Sequence, residues 1–316
     1  MELHYAQELL DCLPKERSLY GYCRDRYAAQ LLQLATQRYS SIRDIKTSGF
    51  GKLLDRPGIK QLIHNCGNGR IDPDLFSQYW LEPGVTYLVT AGLWGSKSGR
   101  YTQTSRPGYN LVLHLNFNHQ HDHILSTSIK PKRDGVFNYG GHPQLRRGER
   151  HYYRETLAWA RLDVDLDNDE VLVEEIQSDW VRDVARLQRR LTYYKDNDAN
   201  ILSCRYDTTV KQAKAYLQFV EPLLKDWSQA MLSAVIDFVR HELGIDRLWY
   251  HSWETGNCLK RINREYGPPR SLYTRLPRQF CFDETDSMPG FLNNKRTHKR
   301  LRRAKLAPHF YQLTLQ

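Results

Sequence analysis

The spacing of apolar and polar residues changes twice along the chain, and each change indicates a different secondary structure. Up to about residue 75, apolar residues recur every three or four positions, as in YAAQLLQLATQRYSSIRDI (27–45), which predicts helices. From about residue 79 they alternate, as in NLVLHLNF (110–117), where Leu111, Leu113 and Leu115 share one face; this predicts strands. After Trp180 the helical spacing returns in WVRDVARLQRRL and AMLSAVIDFVRHEL, and shorter strand-like stretches follow.

This order predicts an α+β fold with a central, mainly antiparallel sheet. The connections between the strand-like stretches of residues 79–177 are too short for most crossover helices, so antiparallel pairing is expected. Residues 1–75 would form a helical N-terminal cap, and residues 76–316 an α+β domain with a basic C-terminal tail. His119, His121 and His123, at alternate positions, are interpreted as an exposed turn rather than a metal site, because no further ligand group accompanies them.

The strand EVLVEEIQ (170–177) begins apolar and ends polar, which predicts that it runs from the core to an opening where ligands bind. Strand alternation places Glu174 and Glu175 on opposite faces, with Gln177 beside Glu175. Either carboxylate could serve as a general base if burial raised its pKa. The other interpretation is a structural network in which Ser178 or Asp179 caps the next helix.

A second polar cluster follows the strand-like stretch IDRLWYHSW (245–253). If this strand lies beside residues 170–177, then His251, Glu254 and Asn257 approach Glu175 and Gln177. His251 could then act as an acid or base, although a histidine between aromatic residues is also typical of a hydrogen-bonded core position.

Charge indicates the class of partner. The net charge is +10 and the pI is about 9.2. One stretch, residues 293–305, has no acidic residue; its candidate contacts with RNA or DNA are Lys295, Arg296, Lys299, Arg300, Arg302 and Arg303. A solvated helix face is the alternative interpretation. Arg270 and Arg275, among prolines and aromatic residues, suit a phosphate-bearing ligand or cation–π packing within the fold.

Hydrophobicity and cysteine spacing predict the cellular location of the protein and the state of its thiols. No apolar run is long enough to span a membrane, and the first residues lack a secretory-signal pattern, so a cytoplasmic protein without a membrane partner is expected. The six cysteines form no CxxC pair, which predicts reduced thiols and no metal site.

The string VLVEEIQSDW, with the surrounding residues from about 150 to 260, resembles the EIQSDW-containing domain of large polyvalent proteins of bacteriophages and conjugative elements. This resemblance implies a phage or mobile-element lineage. It makes Trp180, together with Gln177 and Ser178, part of the family's motif and a candidate ligand contact.

The order of elements over about residues 165–285 is similar to the second half of the GNAT acyltransferase fold. That likeness implies a base at Glu174 or Glu175, functional roles for Asn257 and Tyr266, and acetyl-CoA as a cofactor. Its pyrophosphate would lie at the N-terminus of the helix that follows the fourth strand of that fold, which residues 225–244 match. The chain departs from that fold because residues 181–226 contain no glycine. Two hypotheses stay open: a GNAT-like protein that binds a phosphate-bearing ligand and acylates RNA or protein, and a non-catalytic nucleic-acid-binding or phage defence or counter-defence module.

Overall fold

The computed structural model describes residues 1–13, 18–64, 66, 69–97, 102–146, 153–263, 265 and 267–315. Within these ranges the helices are α1 (Leu3–Cys12), α2 (Arg26–Ala35), α3 (Ile42–Thr47), α4 (Pro57–His64), α5 (Pro73–Ser77), α6 (His119–Ser128), α7 (Asp179–Leu191), α8 (Val210–Lys225), α9 (Trp227–His241), α10 (Trp253–Lys260), α11 (Arg275–Gln279) and α12 (Lys295–Arg303).

The strands are β1 (Ser18–Tyr22), β2 (Val85–Ser96), β3 (Gly108–Asn116), β4 (Thr156–Asp165), β5 (Glu170–Gln177), β6 (Asn200–Leu202), β7 (Asp207–Thr209), β8 (Arg247–His251), β9 (Asp283–Thr285) and β10 (Phe310–Thr314). Eight of them form one sheet in the order β1-β2-β3-β4-β5-β8-β10-β9, and β6 pairs with β7. Neighbours in the large sheet are antiparallel except for β5 and β8, which are parallel. The prediction of an α+β protein with a mainly antiparallel sheet is confirmed.

The sheet has two chemically different faces. One face packs on α9, which α2 contacts in turn, and carries the apolar side chains of the main core, among them Leu113, Leu162 and Val173. The opposite face is polar over β3 to β5 and is covered there by the segment from Thr102 to Arg106, while a smaller apolar cluster lies further along it, under α10 and α12. Because both faces are covered, β4 is buried along nearly its whole length.

Some local predictions are wrong. The N-terminal 75 residues also contribute β1, which forms an edge of the sheet by pairing with β2. His119, His121 and His123 lie on helix α6 rather than in a turn, because Asn118 caps that helix through the backbone N–H of His121. The His121 ring is buried against Phe117, and burial lowers its pKa.

Two further helix and strand boundaries differ from those that the sequence pattern suggests. The aromatic and apolar run QFCFD (279–283) is typical of a strand, but Gln279 ends α11 and β9 begins only at Asp283. A proline inside a helical pattern usually ends the helix, but α8 continues past Pro222 to Lys225, and the break before α9 falls at Asp226. Within the described ranges, every helix is too short or too polar to cross a membrane.

Candidate functional site

The pairing of β5 with β8 stops before β5 ends. The last parallel pair is Val173 with Tyr250, whereas β5 continues to Gln177. In the same place β5 has a β-bulge against β4: Glu175 lies opposite Arg161 and Val173 opposite Leu162, so Glu174 is the extra residue. We call the region beyond the Val173–Tyr250 pair the strand opening.

The bulge changes which way the two glutamates point. They were predicted to lie on opposite faces, and this prediction is wrong. Glu174 accepts hydrogen bonds from Ser105, and Glu175 pairs with Arg161, whose guanidinium also donates to the backbone oxygens of Thr102 and Gln103. Both carboxylates therefore face the covering segment, because the extra residue at the bulge interrupts the strand alternation.

Glu174 lies in a closed hydrogen-bond cluster with Ser105 and His251. Its Oε1 accepts the Ser105 backbone N–H at 2.9 Å, and its Oε2 lies 2.9 Å from Ser105 Oγ and 3.2 Å from His251 Nε2. Ser105 Oγ is also 2.8 Å from His251 Nε2. The side chains of Glu174 and His251 are completely buried. The structure thus brings His251 to Glu174, in a cluster that fastens the covering segment to the sheet.

Electrostatics keep Glu174 ionised. Burial alone would raise the pKa of this carboxyl, but the hydrogen bond from His251, the charge of Lys260 and the Ser105 N–H hold it well below its usual range. Burial lowers the pKa of His251, which favours a neutral ring that donates its Nε2–H to Glu174. His251 Nδ1 has no hydrogen-bond partner among the described residues. In this arrangement Nε2 is a donor, so it is not available as a base.

Lys260, from the last turn of α10, occupies the strand opening. Its Nζ donates to the backbone oxygen of Glu174 at 2.8 Å and to Tyr273 Oη at 3.3 Å, and it lies 3.6 Å from Glu175 Oε2. Burial lowers the pKa of Lys260, whereas the cations of Lys260 and Arg161 outweigh burial and lower the pKa of Glu175. Glu175 is therefore held as an ionised partner of two cations.

A carboxylate of the protein itself, that of Asp179, lies at the N-terminus of α7. Asp179 accepts from the backbone N–H of Tyr139 at 3.0 Å, from Gln177 at 3.1 Å and from Arg182 at 2.8 Å, and it lies 3.0 Å from His142 Nδ1. Because the carboxylate can only accept, His142 donates its Nδ1–H to Asp179. Burial opposes ionisation of Asp179, but the His142 hydrogen bond and the Tyr139 N–H dominate and lower its pKa.

The start of α7 does not suit the pyrophosphate of acetyl-CoA, although α7 is the helix that directly follows β5. The Asp179 carboxylate lies at its N-terminus and would repel a phosphate there. The strand opening beside it contains the Lys260 ammonium and the Tyr273 ring.

The other site residues predicted from the sequence lie apart from the cluster around Glu174. Ser178 occupies the N-cap position of α7, but its hydroxyl donates to the backbone oxygen of Leu157 and makes no cap bond. Trp180 is fully buried against Phe117 and Phe137. Asn257 is buried, and its Nδ2 has no hydrogen-bond partner among the described residues.

Two residues that were predicted to contact a ligand form an ion pair with each other. Glu254 pairs with Arg270, whose guanidinium lies over the Trp253 ring at 5.1 Å. Arg275 is exposed at the start of α11, and Tyr266 lies outside the described residues. Their roles in ligand binding stay predictions.

The basic stretch of the sequence forms helix α12. Thr297 and Leu301, four residues apart, are buried and fix one side of the helix. On the other sides, five side chains are exposed: Lys295, Arg296, Lys299, Arg302 and Arg303. Arg300 differs, because it is half-buried and donates from Nη1 to the backbone oxygen of Leu259.

Sequence reasoning missed three members of the central cluster: Ser105, Arg161 and Lys260. One signal was available, since Arg161 and Asp163 are charged residues at alternate positions inside an otherwise apolar strand, and buried charges of this kind need partners. Asp163 indeed receives a two-fold hydrogen bond from Arg106 at 2.7 and 2.9 Å. Ser105 and Lys260 had no comparable signal, because the sequence does not indicate which strand they approach.

No protein-family model matches this chain, and comparisons with the curated proteins and with the solved structures give no significant match either. Its function therefore has to be inferred from the residues themselves.

Proposed function

We propose that the protein binds nucleic acid through the exposed cations of α12, which we call the α12 surface: Lys295, Arg296, Lys299, Arg302 and Arg303. The observation that carries this proposal is how α12 packs against the rest of the protein. Thr297 and Leu301 are buried, so the cations are presented on a fixed helix, and none of the five takes part in an ion pair within the described residues.

The neighbourhood of this surface has an excess of positive charge. The pKa of Arg300 is lowered by partial burial and by the nearby cations of Arg261 and Arg296. Like charges held close together repel one another, and a polyanion that lies across them removes this repulsion. Neutralised phosphates also release condensed counterions, which supplies most of the sequence-independent affinity of such proteins. The net charge of +10 acts in the same direction by steering a polyanion toward the protein.

The test is a double charge reversal, Arg302→Glu with Arg303→Glu, in the full chain. Both side chains are exposed, so the fold should be unchanged. Binding of labelled single-stranded and duplex oligonucleotides is measured by fluorescence anisotropy over a series of salt concentrations. If each arginine contacts one phosphate, the slope of log K against log salt should become less steep by about 2, and binding should weaken for all sequences alike.

The matched control is Arg43→Glu with Lys46→Glu, which changes the net charge by the same amount on exposed positions of α3. A specific contact surface predicts that the control keeps the salt slope of the unchanged protein. Equal losses in both variants would mean that only the overall charge matters. Absence of binding at low salt would refute the proposal outright. Arg300 is left unchanged because its contact with Leu259 makes it part of the packing.

A second candidate, acyl transfer by a GNAT-like protein of phage or mobile-element lineage, is favoured by one observation. The parallel pair β5–β8 separates at a bulge that carries two ionised glutamates, with a helical crossover before β8 and Asn257 on the helix after it. Acetyl-CoA would have to bind away from the start of α7. Native mass spectrometry at low salt tests this: a retained CoA-sized mass supports the candidate, and no mass shift after addition of acetyl-CoA removes it.

A further inference from the structure

A cavity of about 640 Å³ lies away from the strand opening and the α12 surface. Its walls are α6, the segment from Pro131 to Asp134, and residues 153–155, which lead into β4. Its volume falls within the range of about 300–1,000 Å³ that is typical of small-molecule sites. None of the residues predicted from the sequence to bind a ligand or to act in catalysis lines this cavity.

Two buried polar atoms in the wall of this cavity have no hydrogen-bond partner in the part of the chain that the structure describes. Glu155 is only 4% exposed; its Oε1 accepts the backbone N–H of Gly135 at 3.1 Å, whereas its Oε2 has no partner among the described residues. Arg154 Nε is also buried without a hydrogen bond there, 4.0 Å from the nearest oxygen of Asp122. Buried polar groups are nearly always paired, so two adjacent exceptions in a cavity wall indicate a missing binding partner.

The protonation state of Glu155 defines what it can recognise. Burial and the charge of Asp122 raise the pKa of Glu155 to about 8, so the carboxyl is mostly protonated at neutral pH. Because Oε1 already accepts from Gly135, the proton belongs on Oε2. The wall then offers an acid O–H, which can donate and accept, beside a guanidinium N–H, which can only donate. This pattern complements a planar polar edge such as that of a nucleobase.

The outer part of the cavity has a different chemistry. Lys132, Arg133 and Asp134 are exposed there, so two cations stand against one carboxylate, and the exposed imidazoles of His119 and His123 also line it. Lys132 Nζ donates to the backbone oxygen of Ser203 at 3.1 Å, which holds this ammonium in place. Ammonium and guanidinium groups together are well suited to a phosphate.

We propose that this cavity binds a nucleoside monophosphate, with the phosphate at Lys132 and Arg133 and the edge of the base at Glu155 and Arg154. The same chemistry is presented by a free nucleotide and by the 5′-phosphorylated end of a strand. The site does not depend on nucleic-acid binding by the α12 surface, since the two share no residue.

The experiment is isothermal titration of the full chain with the 5′-monophosphates of adenosine, guanosine, cytidine and uridine at pH 7. At least one should bind at a single site. Arg133→Ala, an exposed position, should weaken binding about tenfold to a hundredfold, the usual effect of losing one charged hydrogen bond. Glu155→Gln keeps the shape of the side chain and its neutral state but replaces the O–H by an amide, so it should change the preference among the four bases.

The control variant is Arg303→Ala, which should leave nucleotide binding unchanged, so that failure of this proposal and of the α12 proposal can be told apart. Competition with a short oligonucleotide, with and without a 5′-phosphate, identifies the source of the ligand. No binding of any of the four nucleotides at millimolar concentration, or binding that neither Arg133→Ala nor Glu155→Gln alters, would overturn the proposal.

Discussion

The buried carboxyl of Glu155 should make the protein less stable as the pH rises, and Glu155→Gln should remove this effect. In the folded protein the pKa of Glu155 is raised from its ordinary value of 4.5 to about 8, first by burial and then by the charge of Asp122. Stabilisation from a raised pKa is fully present below the unfolded value and is lost as the pH rises toward the folded value. The affected window is therefore pH 4.5 to 8.

The magnitude follows from linkage between protonation and folding. At pH 5 the unfolded carboxyl is already mostly ionised, and at pH 8 the folded one is half ionised. Integrating the difference in bound protons between these two pH values gives a loss of about 3.5 kcal/mol in the free energy of unfolding. Glutamine cannot ionise, so the Glu155→Gln protein should lack this loss, while both proteins share the contributions of all other groups.

The assay is urea unfolding, followed by circular dichroism, of both proteins at pH 5, 6, 7 and 8. The difference in the free energy of unfolding between the variant and the unchanged protein should move by about 3.5 kcal/mol in favour of the variant between pH 5 and pH 8. Glu221→Gln, at an exposed position on α8, is the control for the loss of one carboxyl. Parallel stability profiles for Glu155→Gln and the unchanged protein would refute the assignment of a protonated Glu155.

Two further predictions concern the cluster at the strand opening. Ser105→Ala removes the hydroxyl that bonds Glu174 and should lower the free energy of unfolding by about 1–3 kcal/mol, measured by urea unfolding; no change would show that the covering segment is not held by this contact. Lys260→Met leaves Glu175 without one of its two cations and should cost about 3–5 kcal/mol, with partial recovery when Glu175→Gln is added. A loss that the second substitution deepens would contradict the ion-pair reasoning.

Local spacing in the sequence was sufficient for much of the architecture. The alternation in residues 110–117 predicted β3, and the apolar run before Glu174 predicted β5. The three-to-four spacing after Trp180 predicted α7 and α9. These predictions succeed because the spacing of apolar residues shows which side of a helix or strand is buried. About ten neighbouring residues are enough to show this spacing. The positive charge of α12 was also evident from the sequence, as a run of basic residues.

Only the tertiary structure decided what the acidic strand end contacts. Glu174 meets Ser105, His251 and Lys260, which are 69, 77 and 86 positions away in the chain, and no local pattern specifies such partners. The bulge that turns Glu174 and Glu175 to the same face depends on how β5 pairs with β4, and a single extra residue reverses every side-chain direction beyond it. The sequence thus determined the elements and their charge, whereas long-range pairing determined that these carboxylates lie buried among cations.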